Sequence, residues 1–432
     1  MTLRLLHLSD IHLGSGFSHG RTNPDTGLNS RFEDFVATLS RCIDAAVDQS
    51  VDLVLFGGDA FPDATPPPVV QQAFAQQFRR LVEAQIPTVL LVGNHDQHAQ
   101  GMGGASLCIY RTLGIPGFVV GDRLETHRLQ TRNGPVQVVT LPWLTRSTLL
   151  TRPETEGLSM GAVGELLLDR LRIVLEAEIR QLDPDLPSIL LAHVMTDTAR
   201  FGAERFLAVG KGFTVPMSLL ARPCFDYVAL GHVHKHQVLC QNPLMVYPGS
   251  IERVDFSEEK EDKGYVMVDL AKGNTAMHFC PLPARSFQTL RVDLTESDTP
   301  NKTLLDTIGT TSFTDAVVRL LYKLRADQID QVDNAAIHDA LAAAHTYTIH
   351  PELVSQLSRP RLPELGADSS LEPIVALQAY LANREDLKDI ADDMITAAEA
   401  LINEEPTGVL EPPEEQNKDV IEDDENRQLR LL

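Results

Sequence analysis

The chain is 432 residues long, 43% hydrophobic and 22% charged, with a formal net charge of −23. That length accommodates a large core and more than one domain, while the acidic balance argues against an ordinary basic nucleic-acid binder. No apolar run approaches the roughly 20 residues needed to span a bilayer.

The charge is uneven: residues 366–432 hold 18 Asp and Glu against 5 Lys and Arg, a balance of −13, which leaves −10 for the other 365. Five scattered cysteines (Cys42, Cys108, Cys224, Cys240, Cys280) never form Cys-x-x-Cys, which suits reduced thiols. The N-terminal "LRLLHLSD" has no small-residue cleavage site after it. A cytoplasmic protein without a signal peptide is expected.

In chain order, strand-like apolar runs are "LRLLHL", "VDLVLFGGD", "TVLLVGNHD", "VQVVTLPW", "SILLAHV", "YVALGHVH" and "YVMVDL". Helices fall between several of them. The first begins at "NSRFEDF", where Ser30 and Glu33 read as a capping box. Phe32, Phe35, Val36, Leu39, Ile43 and Val47 then follow a 3.6-residue period. A second helix is expected over about Val69 to Ala84. Alternation of this kind predicts a layered α/β domain over residues 1–282, with a mixed sheet in its strand-rich later part.

Beyond "PLPARSF" the pattern predicts a small β-α-β-α-β unit over 283–365, ending in the linker-like "SRPRLPELGADSS". Two helices are expected over 366–404. The second places Leu387, Ile390, Met394, Ile395, Leu401 and Ile402 on one face. Residues 405–432 are acidic and proline-containing and read as a disordered tail.

The polar residues at the exits of the apolar runs form a pattern. Asp10 and His12 end the first run, Asp59 the second, Asn94, His95 and Asp96 the third, His193 another, and His232 and His234 another. In an open α/β sheet the carboxyl edge of the strands is where ligands bind. Asp, Asn and His are donors for Mn, Fe or Zn, and no cysteine joins them. A carboxylate can bridge two cations, and Asp59 is the natural bridge. Two such ions can share a water and hold both oxygens of a displacement at phosphorus. Each piece alone has a plainer explanation, as a surface turn or a hydrogen-bonded core histidine. Together those explanations need five coincidences at five strand ends. His7 reads as core, His19 in "GSGFSHGRTNPDTG" as solvated loop, His98 and His236 as neighbours of the site at best, and Trp143 as packing.

The order Asp-x-His, Gly-Asp, Gly-Asn-His-Asp, Ala-His, Gly-His-x-His resembles the calcineurin-like metallophosphoesterases. "LLHLSDIHLG", "FGGDAF", "VGNHD", "YVALGHVHKHQ" and "YPGSIERVDFSE" (Tyr247 to Glu258) narrow it to the SbcD family of DNA double-strand-break repair nucleases. The resemblance covers residues 1–282. It implies an α/β/β/α sandwich, followed by a small α+β DNA-capping domain and ATPase-binding helices. Asp10, His12 and His234 would hold one metal, Asn94, His193 and His232 the other, and Asp59 would bridge. His95 would act on the transition state or leaving oxygen. The resemblance also implies Mn2+ as activator, DNA as substrate, an SbcC-type ATPase with a coiled coil as partner, and a homodimer. No Walker motif is written in the chain, so ATP would act through that partner. Relatives from archaea and eukaryotes carry histidine three positions after the bridging aspartate. Here Pro62 stands there, followed by Asp63, which leaves the exonuclease–endonuclease balance open.

The leading expectation is therefore a two-metal DNA exo- and endonuclease, with the face around Met394 docking on the ATPase or on the chain's own capping domain. Two alternatives remain: a phosphodiesterase of small nucleotides or phosphoproteins, and a non-catalytic clamp that holds an ATPase at DNA ends.

Overall fold

The computed structural model describes residues 2–97, 104–144, 155–200, 214–354 and 373–403, the last range without 383, 385, 386, 388 and 389. Residues 1–354 form one compact unit, and a second unit follows from Ser355. The expected linker and acidic tail lie outside the described residues, as does His98. No helix among the described residues is long and apolar enough to cross a membrane.

The first unit opens with β1 (Leu3–Leu8), α1 (Ser30–Asp48), β2 (Leu53–Phe56), α2 (Pro68–Glu83) and β3 (Thr88–Leu91). Next come α3 (Cys108–Thr112), β4 (Phe118–Gly121), β5 (Glu125–Thr131), β6 (Gly134–Leu141) and α4 (Met160–Ile179). They are followed by β7 (Ser188–His193), the short pair β8 (Met195–Thr196) and β9 (Thr214–Val215), and β10 (Tyr227–Gly231). Then come β11 (Gln237–Gln241), β12 (Leu244–Tyr247), β13 (Gly264–Ala271) and β14 (Asn274–Pro281). The two sheets of the implied sandwich are each six-stranded and mixed: β14-β13-β1-β2-β3-β4 and β11-β12-β10-β7-β6-β5. The first is antiparallel on its β14-β13-β1 side and parallel from β1 to β4, while the second has a parallel centre with an antiparallel strand at each edge.

Period-2 alternation sorts the side chains of these strands into layers. Leu3, Leu5, Leu53, Leu55 and Val89 meet Val136, Val138, Ile189, Leu191 and Ala229 between the sheets. Leu6, Leu8, Val54, Phe56 and Leu90 face the other way, onto Phe35, Leu39, Phe74 and Phe78 of α1 and α2. Leu171 and Leu175 of α4 cover the far face of the second sheet. The result is an α/β/β/α sandwich whose central strands are buried on both faces, which explains their unbroken apolar runs.

The start of α1 differs from expectation. Asn29, in extended conformation, is the N-cap and accepts from Arg31 N. Ser30 lies inside the first turn and pairs with His345 Nε2 at 2.7 Å, while Glu33 is taken by Asn23 and Thr26. The loop before the helix folds back through a Thr22–Asn29 bridge, shifting the cap by one residue.

Beyond the sandwich, β15 (Phe287–Asp293), α5 (Pro300–Gly309), β16 (Val317–Arg325), α6 (Asn334–Ala340) and β17 (Thr346–Val354) form the expected β-α-β-α-β unit. Its three strands are parallel, and it has its own core around Leu304, Leu320 and Ile337. Arg285 forks onto Asp34 of α1, and Thr346 Oγ1 donates to the carbonyl of His19. His19 is thus no solvated-loop residue; it packs edge-on between Phe256 and Phe287. The second unit holds α7 (Pro373–Ala382) and α8 (Ala391–Asn403), on which Val375 and Met394 are exposed.

Candidate metal centre

β1, β2, β3, β7 and β10 all deliver residues of the predicted set just past, or at, their carboxyl ends. Four of those residues are bent into positive φ: Asp10 (52°), His12 (46°), Asp59 (60°) and His232 (104°). Such backbone costs on the order of 1–3 kcal/mol per residue and persists only where the surroundings enforce it. Here the first two loops zip together. Asp10 N donates to Gly58 O, His12 N to Asp59 O and Leu13 N to Ala60 O, at 2.9–3.0 Å. Gly93 completes the fit, since a Cβ there would come within 2.1 Å of Asp59 Oδ1.

All seven predicted ligands converge. Asp10, His12 and His234 present donor atoms within 4.8 Å of one another, and so do Asp59, His193 and His232. Asn94 Oδ1 lies 3.0 Å from His193 Nε2 and 2.9 Å from His232 Nδ1. Asp59 stands between the groups, with Oδ2 3.7 Å from His12 Nε2 and 3.3 Å from His193 Nε2. Asp10 is fixed by the backbone N of His232, which donates to both its oxygens at 3.1 Å. His95 is half-buried beside His12, with ring centroids 5.0 Å apart. Its backbone N donates to Asp59 Oδ1, and its Nδ1 donates to the carbonyl of Pro62 at 2.8 Å.

The electrostatics match a cation-binding pocket. Burial, with His234 next to it, pushes His12 well below the usual imidazole range. Burial and His193 lower His232 to about 3. Burial would protonate Asp59, but His193, His95 and His12 hold it ionised, far below the carboxylate range. Burial also pushes His193 down, yet the Asp59 carboxylate lifts it to about 9. Asp10 is raised by burial, with Asp59 adding to the effect.

The donor set itself asks for metal. His234 Nδ1 faces the carboxylate of Glu258 at 2.6 Å and must carry the proton, so Nε2 offers a lone pair. It points at His12 Nε2, 3.0 Å away. His193 Nδ1 donates to the carbonyl of Gly57, so Nε2 is the atom turned to the oxygens of Asn94 and Asp59, and the proton it carries toward them is the one a cation would displace. These groups share protons at 2.9–3.0 Å, and a cation among them can take the place of those protons. The residues fit two borderline divalent ions bound through oxygen and imidazole nitrogen.

Three contributors escaped the sequence reading. Asp96 accepts from the backbone N of Asp59, Ala60 and Gly93 at 2.9–3.0 Å, and so shapes both glycine turns. It was visible at the end of "GNHD", but nothing in a sequence says which carboxylate turns inward. Glu258 backs His234, and Trp143 lies tilted over the His232 ring at 4.8 Å, more than plain packing. His7 and His236 hold structural hydrogen bonds, to Tyr227 OH and Tyr247 O.

A family profile described as calcineurin-like phosphoesterase matches residues 3–236. The SbcD component of the nuclease SbcCD from Rhodobacter capsulatus is 30% identical over 303 residues, which cover 65% of this chain and 69% of that one. Among solved structures, a dimetal phosphatase from Danio rerio is 13% identical, with 64% of this chain and 98% of that one covered and a TM-score of 0.37. A purple acid phosphatase from yellow lupin (Lupinus luteus) seeds is 15% identical, with 65% and 52% covered and a TM-score of 0.37.

Proposed function

Since the chain belongs to the calcineurin-like phosphoesterases and, within them, to the SbcD family, a metal-dependent phosphodiesterase, we propose that it is a two-metal DNA nuclease. In this reading Asp10, His12 and His234 hold one cation, Asn94, His193 and His232 the other, and Asp59 bridges. The observation that carries it is the convergence of seven donors with an ionised carboxylate between the two groups. When bound, such a pair of ions lowers the pKa of water and offsets the charge of a phosphodiester. Mn2+ is the proposed activator.

The protein's own part is orientation and proton handling. The amides of His232 and His95 fix Asp10 and Asp59. His95 spends Nδ1–H on the Pro62 carbonyl, leaving Nε2 as the atom that exchanges a proton with the leaving oxygen. With Pro62 in place of a second imidazole, His95 is the one histidine given that task. A homodimer working with an SbcC-type ATPase in the cytoplasm completes the proposal. The 283–365 unit would cap the DNA, and the helices near Met394 would meet the ATPase.

The test is cleavage of linear and hairpin DNA by the chain with Mn2+, and by Asp59→Asn and His95→Ala. Wild type should cut DNA, and both variants should lose at least about 100-fold. The role of His95 falls if His95→Ala stays within about threefold, under roughly 1 kcal/mol of barrier. The DNA reading falls if DNA is untouched while a cyclic dinucleotide or a phosphopeptide is turned over.

A further inference from the structure

The two halves of the metal centre are supported differently from outside. His193 turns Nδ1 to a neutral carbonyl, that of Gly57 at 2.7 Å. The outward Nε2 of His232 is buried and has no hydrogen-bond partner among the described residues. His234 is backed by a full carboxylate, Glu258 Oε1 at 2.6 Å.

That carboxylate is itself held tightly. Glu258 is only 3% exposed. Its Oε2 meets Lys263 Nζ at 2.7 Å and accepts from Val254 N at 3.2 Å and Ser250 Oγ at 3.4 Å. Lys263, also buried, points its remaining donors at Glu261 (2.9 Å) and the carbonyl of His234 (3.2 Å). Burial would favour a neutral Glu258, but His234 and Lys263 keep it ionised. Glu258 ends a one-turn 3₁₀ helix, Phe256–Glu258, capped by Asp255, whose side chain accepts from Ser257 N. Arg253 ties down the carbonyls of Glu258 and Glu261.

A buried ion pair is weak evidence for stability, because desolvation offsets the attraction. Its geometry here points elsewhere: one carboxylate oxygen is given to the imidazole and the other to the ammonium. A carboxylate on the outer nitrogen of a metal-binding histidine fixes its tautomer and raises its basicity. Resting on the two-cation reading, we infer that Glu258, clamped by Lys263, is a positioning residue. It sets the affinity of the Asp10–His12–His234 position and leaves the Asn94–His193–His232 position unchanged.

The two positions can be followed separately. Trp143, the only tryptophan, lies against His232 and reports the second one. The full chain and Glu258→Gln are titrated with Mn2+ by calorimetry and by tryptophan fluorescence. In Glu258→Gln one of the two ions should bind about 10- to 100-fold more weakly, while the fluorescence midpoint moves by less than about twofold. The double variant Glu258→Gln, Lys263→Met leaves no unpaired ammonium and should show the same selective loss. The inference is overturned if a folded variant binds both ions as wild type does, or if both affinities fall together. It is also overturned if neither variant folds, since Glu258 would then be a structural residue. A wild-type chain that binds fewer than two ions would instead sink the two-cation reading, whatever Glu258 does.

Discussion

Gly93→Ala tests how closely Asp59 is confined. The φ of Gly93 is not left-handed, so alanine meets no backbone penalty there. The added Cβ would lie 2.1 Å from Asp59 Oδ1, 2.4 Å from Asp59 N and 2.7 Å from Asp59 Cγ. Real Cβ contacts essentially never fall below 3.0 Å. Asp59 cannot give way cheaply, because its amide is tied to Asp96 and its Oδ1 to His95 N. The carboxylate must therefore move by about 1 Å, a displacement that costs a reacting constellation on the order of 100-fold in rate. Overpacking should also lower stability by about 1–3 kcal/mol. The assay is Mn-dependent hydrolysis of bis(p-nitrophenyl) phosphate, with thermal melts to verify folding. Gly164→Ala, in open space on α4, is the control and should change neither readout for the worse. If Gly93→Ala keeps its rate within about threefold, less than roughly 1 kcal/mol of barrier, Asp59 does not have the confined role argued for it.

Asp96→Ala leaves three buried amides without an acceptor, each worth roughly 1–3 kcal/mol. A loss of about 3 kcal/mol or more is expected as a lower urea midpoint at unchanged slope; a midpoint equal to wild type would refute it. Saturating Mn2+ should quench Trp143 fluorescence, a chelator should restore it, and His232→Ala should abolish the response; unchanged wild-type emission would contradict an ion near His232. Burial holds His7 down at about 3, whereas the unfolded residue titrates near 6.5. The unfolded chain thus takes up that proton first, and stability falls as pH drops below about 6.5, by up to roughly 1.4 kcal/mol per pH unit from this residue. His7→Gln should flatten the decline in urea melts between pH 7 and 5, and an identical slope would count against burial as its cause.

The ligand pattern was legible because parallel strands, in both sheets, place function at their carboxyl ends. A run such as "SILLAH" therefore announces both a buried strand and the residue at its mouth. What stayed hidden depended on long-range geometry. Glu258 sits 24 residues from His234 in the chain, on a turn without strand periodicity. Ser30 looked like a cap until the preceding loop folded back and gave that place to Asn29. His19 looked exposed because its packing partners, Phe256 and Phe287, come from distant segments.

By itself, the order of residues determined which atoms could bind metal and on which strand ends they would lie, since alternation and strand polarity are local properties. Only the tertiary structure decided which apolar runs pair in which of the two sheets, because strand pairing is a choice among distant segments. It alone also fixed the tautomers. Gly57, Pro62 and Glu258 turn a chosen nitrogen of His193, His95 and His234 outward, leaving the other for the centre, and such contacts exist only after the chain has closed on itself.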